Sequence, residues 1–224
     1  MSTQDQIYQF RICLKDITPM ILRRILIQSN KTLADLHYVI QIVMGWTDYH
    51  LNEFIIHGKR YTIPNWGGMP SPNGEYGTKI KLSDLKFRLN KKFLYNYDFT
   101  ACWEFEIRLE KIAFANAKET YPTCISGSGA SPEEECGGPH CFNELKNVNF
   151  SKSWEITIEF IRALANKKNS KKKISEVYDI DQLREAHYWI TIDKYERKAV
   201  NKYLKFYAND DSRWQEAFDE VIYL

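Results

Sequence analysis

The residues with the most distinctive chemistry lie between positions 121 and 141, where cysteines, glycines and glutamates are concentrated. Cys124, Cys136, His140 and Cys141 could form a tetrahedral zinc site, because zinc prefers thiolate sulfur and imidazole nitrogen. The spacing lacks the paired C-x2-C element of zinc knuckles, and adjacent His140 and Cys141 rarely both bind one ion. The alternative is that these are free or buried thiols in an ordered segment, which is predicted to be one glycine-rich loop.

A second group combines one imidazole with several carboxylates near predicted strand ends. Its members are Asp48, His50, Glu53, Asp98 and Glu104. Histidine and carboxylates at strand ends are what a metal-dependent hydrolase would use to hold an ion or move a proton. The alternative is a turn aspartate, a partly buried histidine with its hydrogen bonds satisfied, and hairpin carboxylates that face solvent.

A third feature is a basic run near the C-terminus. Its lysines are Lys167, Lys168, Lys171, Lys172 and Lys173. They could contact the phosphates of a nucleic acid, or they could form a solvated linker. Glu133, Glu134 and Glu135 could pair with Arg23 and Arg24 or with this run, which would make an internal ion pair.

The familiar catalytic and nucleotide-binding motifs are missing from the sequence. It has no Ser/His/Asp motif, no phosphate-binding Gly-Lys-Ser/Thr loop and no dinucleotide fingerprint. No nucleotide cofactor is therefore expected, and a non-catalytic role is favoured although catalysis stays undecided. Zinc is the one metal that the residues indicate.

Composition gives no overall attraction to a polyanion or a membrane. The 31 basic and 29 acidic residues leave a net charge of +2, so any such contact would need a local patch. No apolar run is long enough to span a bilayer, and the N-terminus lacks a signal-peptide pattern. A cytoplasmic location is predicted, in which the five cysteines would stay reduced.

The elements that must position these residues are strands in the first half of the chain and helices in the second. Thr32 and Asp35 form a capping-box pattern before a helix over Leu33–Met44, which Gly45 ends. Further helices are predicted at residues 139–145, 153–167, 181–189 and 193–207, with another starting at 212. Strands are predicted at residues 7–14, 21–28, 54–57, 92–99 and 102–113, with a long loop at 64–78.

Three ordered segments resemble the plasmid pRiA4b ORF-3-like family, also called the passenger TnpR protein of an insertion element. They are LADLHYVIQIVMGWTDYHLNEF (33–54), YDFTACWEFEIRLEKI (97–112) and YPTCISGSGASPEEECGG (121–138). With the strand pair before them they cover roughly residues 5–145. The resemblance implies an α+β domain with a mixed or antiparallel sheet and flanking helices. It also implies association with plasmids and transposable elements, although no resolvase serine or tyrosine-recombinase residues are present.

This chain departs from the family pattern at positions that could do chemistry. Members tend to have His-Leu-His where this chain has His50-Leu51-Asn52, and Gly-Asp-Gly-Trp-Glu-His where it has residues 100–105. Asn52, Ala101 and Phe105 therefore replace two imidazoles and one carboxylate, so a metal or acid–base site in relatives would be absent or altered here.

These observations predict a family domain at residues 1–147 and a helical C-terminal extension at 148–224, with the basic linker at 167–173. The favoured function is a non-catalytic binding or accessory module of a mobile element that contacts a protein or nucleic acid. The alternatives are a metal-dependent, hydrolase-like enzyme or a degenerate relative of one, and a structural zinc protein.

Overall fold

A single twisted sheet forms the centre of the molecule in the computed structural model, which describes residues 6–64, 75–166 and 179–216. Its eight strands within these residues lie in the order β5-β4-β3-β6-β7-β1-β2-β8. They are β1 (Gln6–Leu14), β2 (Leu22–Gln28), β3 (Asn52–Ile56), β4 (Lys59–Thr62), β5 (Glu75–Tyr76), β6 (Lys92–Tyr97), β7 (Trp103–Phe114) and β8 (Thr123–Ser128). All neighbours are antiparallel except β4 and β5, which are parallel. The mixed sheet and its helices confirm the predicted α+β class.

Helices cover the sheet and extend beyond it. They are α1 (Leu33–Met44), α2 (Gly138–Asn166), α3 (Ile180–Ile190) and α4 (Arg197–Ala208), with short 3-10 turns at Gly77–Lys79, Leu82–Leu85 and Ser212–Glu216. None of the described helices combines the length and the apolar content that a membrane span requires. The loop predicted at 64–78 lies partly outside the described residues, as does most of the helix predicted from 212 onward.

Helix α1 and the β6–β7 hairpin form the core, as the sequence predicts. Thr32 and Asp35 make the reciprocal capping-box hydrogen bonds, and Gly45 ends the helix with a left-handed φ of 68°. Alternation along β7 buries Trp103 and Phe105 completely, while Glu104 and Glu106 face the other side of the sheet. The spacing of apolar residues determines which face of α1 packs against which face of the hairpin. Burial of these apolar side chains supplies the main stabilisation of this half of the chain.

The segment predicted to be a glycine-rich loop contains strand β8 and the start of α2, so that prediction is wrong over much of its length. β8 pairs with β2, where Arg23 faces Gly127. A Cβ added to Gly127 would lie 2.3 Å from the Tyr195 ring, so the glycine is required by a ring that packs on the strand. The high glycine content therefore reflects close packing here, which composition alone does not distinguish from a loop.

Helix α2 is one continuous helix where the sequence predicts two. The intervening residues, 146–152 (KNVNFSK), contain neither proline nor glycine, so nothing ends the helix between them. A domain boundary between residues 147 and 148 would fall inside this helix.

The C-terminal helices pack directly against the sheet at strand β8. The Asn201 side chain of α4 accepts from Cys124 N at 2.8 Å and donates to Cys124 O at 2.9 Å. Just beyond the strand, Gly129 N donates to Asp193 O and Ala130 N to Ile192 O. Tyr207 donates to the Asp35 carboxylate of α1 at 2.8 Å. The C-terminal region is therefore an integral part of the structure around the sheet.

Arg23 is the buried charge at this junction, with 1% of its surface exposed. Its guanidinium donates to the carbonyl oxygens of Val43, Leu22 and Ser128 and to Ser131 Oγ, at 2.9 to 3.1 Å. Its central carbon lies 3.8 Å from the centre of the Tyr195 ring. These partners belong to α1, β2, β8, the segment between β8 and α2, and the segment before α4, so one side chain connects five parts of the fold.

We expect Arg23→Met to lower the free energy of unfolding by about 3 kcal/mol or more, since it leaves buried carbonyl groups without donors. Arg24→Met is the matched control, because Arg24 lies on the opposite face and pairs with Glu110 at the surface at 2.9 Å. Such a pair contributes about 1 kcal/mol or less. Urea denaturation of both variants measures the difference. Equal losses would contradict the role assigned to Arg23.

Candidate functional site

The structure places His50 at the centre of a polar cluster at one end of the sheet. His50 follows the end of α1, and its Nε2 lies 2.6 Å from Glu135 Oε1. Its Nδ1 lies 3.8 Å from Asp98 Oδ1. Asp98 occupies the β6–β7 turn with a left-handed φ of 50°, and its carboxylate accepts from the backbone N–H groups of Thr100 and Ala101. The turn geometry thus fixes the carboxylate beside the imidazole.

Glu134 is the buried member of this cluster, with 5% of its surface exposed. Its carboxylate accepts from both N and Oγ1 of Thr47 at 2.7 Å and from the Tyr97 hydroxyl. The backbone around it is also held, because Trp103 Nε1 donates to Glu134 O at 3.2 Å and Trp46 Nε1 donates to Pro132 O at 2.9 Å. Two buried indoles therefore attach this segment to the core and aim the Glu134 carboxylate.

The carboxylates of the cluster favour the positively charged form of His50. Partial burial by itself lowers the pKa of His50, but the hydrogen bond to Glu135 and the charges of Asp98, Glu135 and Glu134 outweigh it. The net result is a pKa raised above the ordinary 6.5. Burial and the Glu134 carboxylate raise the pKa of Tyr97 far above its usual range, so this phenol stays protonated and donates to Glu134.

This cluster has a donor set that suits a divalent cation. Within the described part of the chain, His50, Glu134 and Glu135 are the one group whose ligand atoms all lie within 4.8 Å of one another. An imidazole nitrogen and carboxylate oxygens are ligands that zinc and similar ions use. The sequence indicated His50 and Asp98 for this place, but it gave no reason to add Glu134 and Glu135.

Asp48 belongs to a separate, fully internal network. His37 Nε2 lies 2.7 Å from Asp48 Oδ1, and His37 Nδ1 lies 2.7 Å from the Tyr95 hydroxyl. Gln41 Nε2 donates to the same hydroxyl at 3.0 Å, and Gln41 Oε1 accepts from Asp48 N at 3.2 Å. All four residues are at most 2% exposed, so this network joins α1 to the sheet and is out of reach of a substrate.

The other two residues of the predicted polar site form ion pairs of their own. Glu53 pairs with Arg60 at 2.5 Å and also accepts from Asn96. Glu104 pairs with Lys15, which follows the end of β1. The structure therefore brings together His50 and Asp98, whereas Asp48, Glu53 and Glu104 bind other partners.

The residues of the predicted zinc site do not converge. Cys124 is buried beside Tyr195, whose hydroxyl donates to its Sγ at 3.2 Å. Burial raises the pKa of Cys136 to about 11, which favours the neutral thiol. His140 is exposed on α2, 3.6 Å from Glu144. No three of Cys124, Cys136, His140 and Cys141, all of which are described, have ligand atoms within 4.8 Å of one another.

Two further predictions concern charges. Lys167, Lys168, Lys171, Lys172 and Lys173 lie outside the described residues. The ion pair predicted between the glutamate triplet and Arg23 or Arg24 is absent, because Arg23 uses carbonyl partners and Arg24 pairs with Glu110. Glu134 and Glu135 contact Thr47, Tyr97 and His50 instead. The triplet itself was a visible signal, but its partners lie 37 to 87 positions away.

The mixed, mainly antiparallel sheet with one helix across its core and further helices at its edge places the chain among α+β domains. It belongs to the plasmid pRiA4b ORF-3-like protein family, whose model matches residues 6–149. This confirms the resemblance carried by the three sequence segments.

Two relatives illustrate the extent of the similarity. The uncharacterized protein y4hQ of Sinorhizobium fredii is 31% identical over 141 residues, which is 62% of this chain and 71% of that protein. The crystal structure of MM3350 from Methanosarcina mazei Go1, a protein of unknown function, is 32% identical with a TM-score of 0.62. That match covers 88% of this chain and 98% of the other. Since the family model ends at residue 149, part of the C-terminal helical region must belong to the shared fold.

The electrostatic bias on His50 can be measured by NMR in the presence of EDTA. We expect a His50 pKa above 6.5 that falls in Glu135→Gln, because the variant removes a hydrogen bond and a negative charge. Glu144→Gln, beside exposed His140, is the matched control. Because the pKa of His50 is raised in the folded state, protonated His50 stabilises the fold. This contribution is fully present below about pH 6.5 and is lost as the pH rises through the folded-state pKa. An unchanged His50 pKa in Glu135→Gln would contradict the hydrogen bond.

Proposed function

We propose that this protein is a non-catalytic binding module that contacts a protein partner through an exposed apolar face of α2, and that the partner is a second copy of the chain. The observation behind the proposal is a row of partly exposed apolar side chains along one helix. They are Phe150, Trp154, Ile158, Ile161 and Leu164. Large apolar patches on a surface mark interaction sites.

The N-terminal third of α2 is attached to the sheet domain. Phe142 is buried against Trp189 of α3, with ring centres 6.0 Å apart, and Asn143 Nδ2 donates to Asp16 O at 2.8 Å. A Cβ on Gly138 would lie 2.1 Å from Ala101 O, so the helix starts in direct contact with the β6–β7 turn. The exposed row lies along the part of the helix that follows this anchored region.

The exposed row has the spacing of a helix–helix contact. Phe150, Trp154, Ile161 and Leu164 follow the intervals of three, four and seven residues that place side chains on one face of a helix. Exposure in the row reaches 57% at Ile161. At roughly 100 Å² for each half-exposed side chain of this size, the five contribute on the order of 500 Å². A stable interface takes about 800 Å² from each partner, so this row would supply the larger part of one.

The charges of this segment favour an identical partner. Between residues 150 and 164 the helix has two basic residues, Lys152 and Arg162, and two acidic residues, Glu155 and Glu159. Two copies of the segment therefore meet without net repulsion, which a strongly charged helix would not allow. The segment 121–141 is a weaker candidate surface, because β8 and the indole-bound residues around Glu134 use much of it internally.

Self-association through α2 is tested by the Trp154→Glu variant. The wild-type chain is expected to sediment as a dimer at about 100 µM, and Trp154→Glu to be monomeric, because a charge in the middle of an apolar contact costs several kcal/mol. Lys152→Gln is the matched control, since it changes the charge of the segment by the same one unit at an exposed polar position two residues away. Analytical ultracentrifugation measures all three. A monomeric wild-type chain, or a dimeric Trp154→Glu variant, would refute the proposal.

Divalent metal binding is a second candidate function, favoured by the convergence of His50, Glu134 and Glu135. Glu134 is already held by Thr47 and Tyr97, so an ion would find one carboxylate ordered in advance. Glu135 is exposed and could turn from His50 toward an ion, and neutral His50 could then supply a nitrogen. This arrangement supports binding of an ion such as zinc, and no reaction follows from it.

Zinc titration followed by calorimetry tests this second candidate. The wild-type chain is expected to bind one equivalent, and His50→Ala to lose the binding, because the imidazole nitrogen is the softest ligand of the three. His140→Ala is the matched control, since its exposed imidazole lies outside the cluster. Zinc binding that survives His50→Ala, or that is absent from the wild type, would exclude the site.

A further inference from the structure

A basic groove lies between two turns of the sheet domain. One wall is the β3–β4 turn at His57 and Gly58, and the other is the segment from Leu85 to the start of β6. Its volume is about 790 Å³. Its charged lining residues are Lys86, Arg88, Lys91 and Lys92, and no carboxylate is among the described residues that line it. On a chain whose net charge is only +2, this is a marked local excess of positive charge.

Three of these cations are available to a ligand. Lys92 is paired with Glu106 at 2.5 Å. Lys86, Arg88 and Lys91 are exposed and have no ion-pair partner among residues 6–64, 75–166 and 179–216. Like charges held together without counter-ions repel one another, and an anion bound among them removes that cost. The groove is therefore suited to a ligand with several negative charges.

Hydrogen bonds between the walls set the shape of the groove in advance. The His57 ring donates from Nε2 to Leu85 O at 3.0 Å, which connects one wall directly to the other. Within the second wall, Lys91 N donates to Arg88 O at 3.1 Å and Asn90 N donates to Leu109 O of β7 at 2.8 Å. The backbone that presents Arg88 and Lys91 is thereby fixed to the sheet, and less ordering entropy is lost on binding.

We infer that this groove binds the phosphate backbone of a single-stranded nucleic acid, an activity independent of the α2 contact. A volume of about 790 Å³ suits a drug-sized ligand, which corresponds to roughly two nucleotides of a strand. The residues offer charge and hydrogen-bond donors for phosphate. Of the two aromatic rings in the lining, Phe93 is 5% exposed and cannot stack on a base, and His57 is held by its hydrogen bond to Leu85 O. Recognition through phosphates alone is independent of base sequence.

The inference is tested by the fluorescence anisotropy of a labelled oligothymidine of about 20 nucleotides, over a range of salt concentrations. Each phosphate contact to a single strand contributes about −0.7 to the slope of log affinity against log salt, so three contacts predict about −2. Arg88→Gln combined with Lys91→Gln should lower the affinity roughly tenfold at low salt and leave a slope of about −0.7. Lys118→Gln combined with Lys198→Gln, at exposed positions away from the groove, removes the same charge and should change neither quantity beyond a small uniform loss.

Three outcomes would overturn the inference. Equal losses in the two double variants would show a general charge effect instead of a groove. Full displacement of the oligonucleotide by inorganic phosphate at matched ionic strength would show a site for small anions. Groove-dependent binding of polyglutamate with the same affinity would show selection of any polyanion. Thermal melting followed by circular dichroism confirms that the variants are folded, which is expected because Arg88 and Lys91 are exposed.

Discussion

The buried guanidinium of Arg23 is the constraint on which the arrangement of this protein depends. Its burial lowers its pKa, although the Tyr195 and Cys124 side chains oppose the shift, and an arginine keeps its charge in proteins. The guanidinium donates to three carbonyl oxygens and one hydroxyl, so its charge is stabilised by dipoles and by the Tyr195 ring. Those groups come from both halves of the chain and must all be in place together. The sheet and the C-terminal helices are therefore coupled through one side chain.

The candidate site has a different physical basis, since its buried half orders its exposed half. Trp46 and Trp103 fix the backbone on both sides of Glu133 through their indole N–H groups, and Glu134 is then held by Thr47 and Tyr97. Glu135, the next residue, has an exposed carboxylate that meets His50. The neighbouring His37–Asp48 pair has similar chemistry but is enclosed by α1 and the sheet. Enclosure, and not residue type, separates a structural histidine from an accessible one.

The sequence patterns correctly predict those elements whose stabilising contacts are close together in sequence. The β6–β7 hairpin and α1 with both of its caps follow from alternation, helical spacing and capping residues that are close in sequence. Arg23 also had a local signal, since it alternates with Ile25 and Ile27 on the buried face of β2. Strand β8 and the partners of Glu134 depend on contacts with segments that are distant in sequence. Gly127 is required because the Tyr195 ring packs against it, but in the sequence alone it cannot be distinguished from a loop glycine. The prediction of two helices at 139–145 and 153–167 is wrong, because residues 146–152 contain no helix-breaking residue and α2 continues through them.

The contacts of Asn201 with Cys124 have a consequence for the behaviour of the chain in solution. The last strand of a sheet presents a row of unpaired backbone groups on which another strand can form, and proteins usually protect such an edge. Here a side-chain amide occupies both backbone positions of Cys124, and the backbone at 192–193 pairs with the residues just beyond β8. A chain that ended before α3 would leave this edge open to strand addition and aggregation. The C-terminal helices thus protect the β8 edge of the sheet against strand addition.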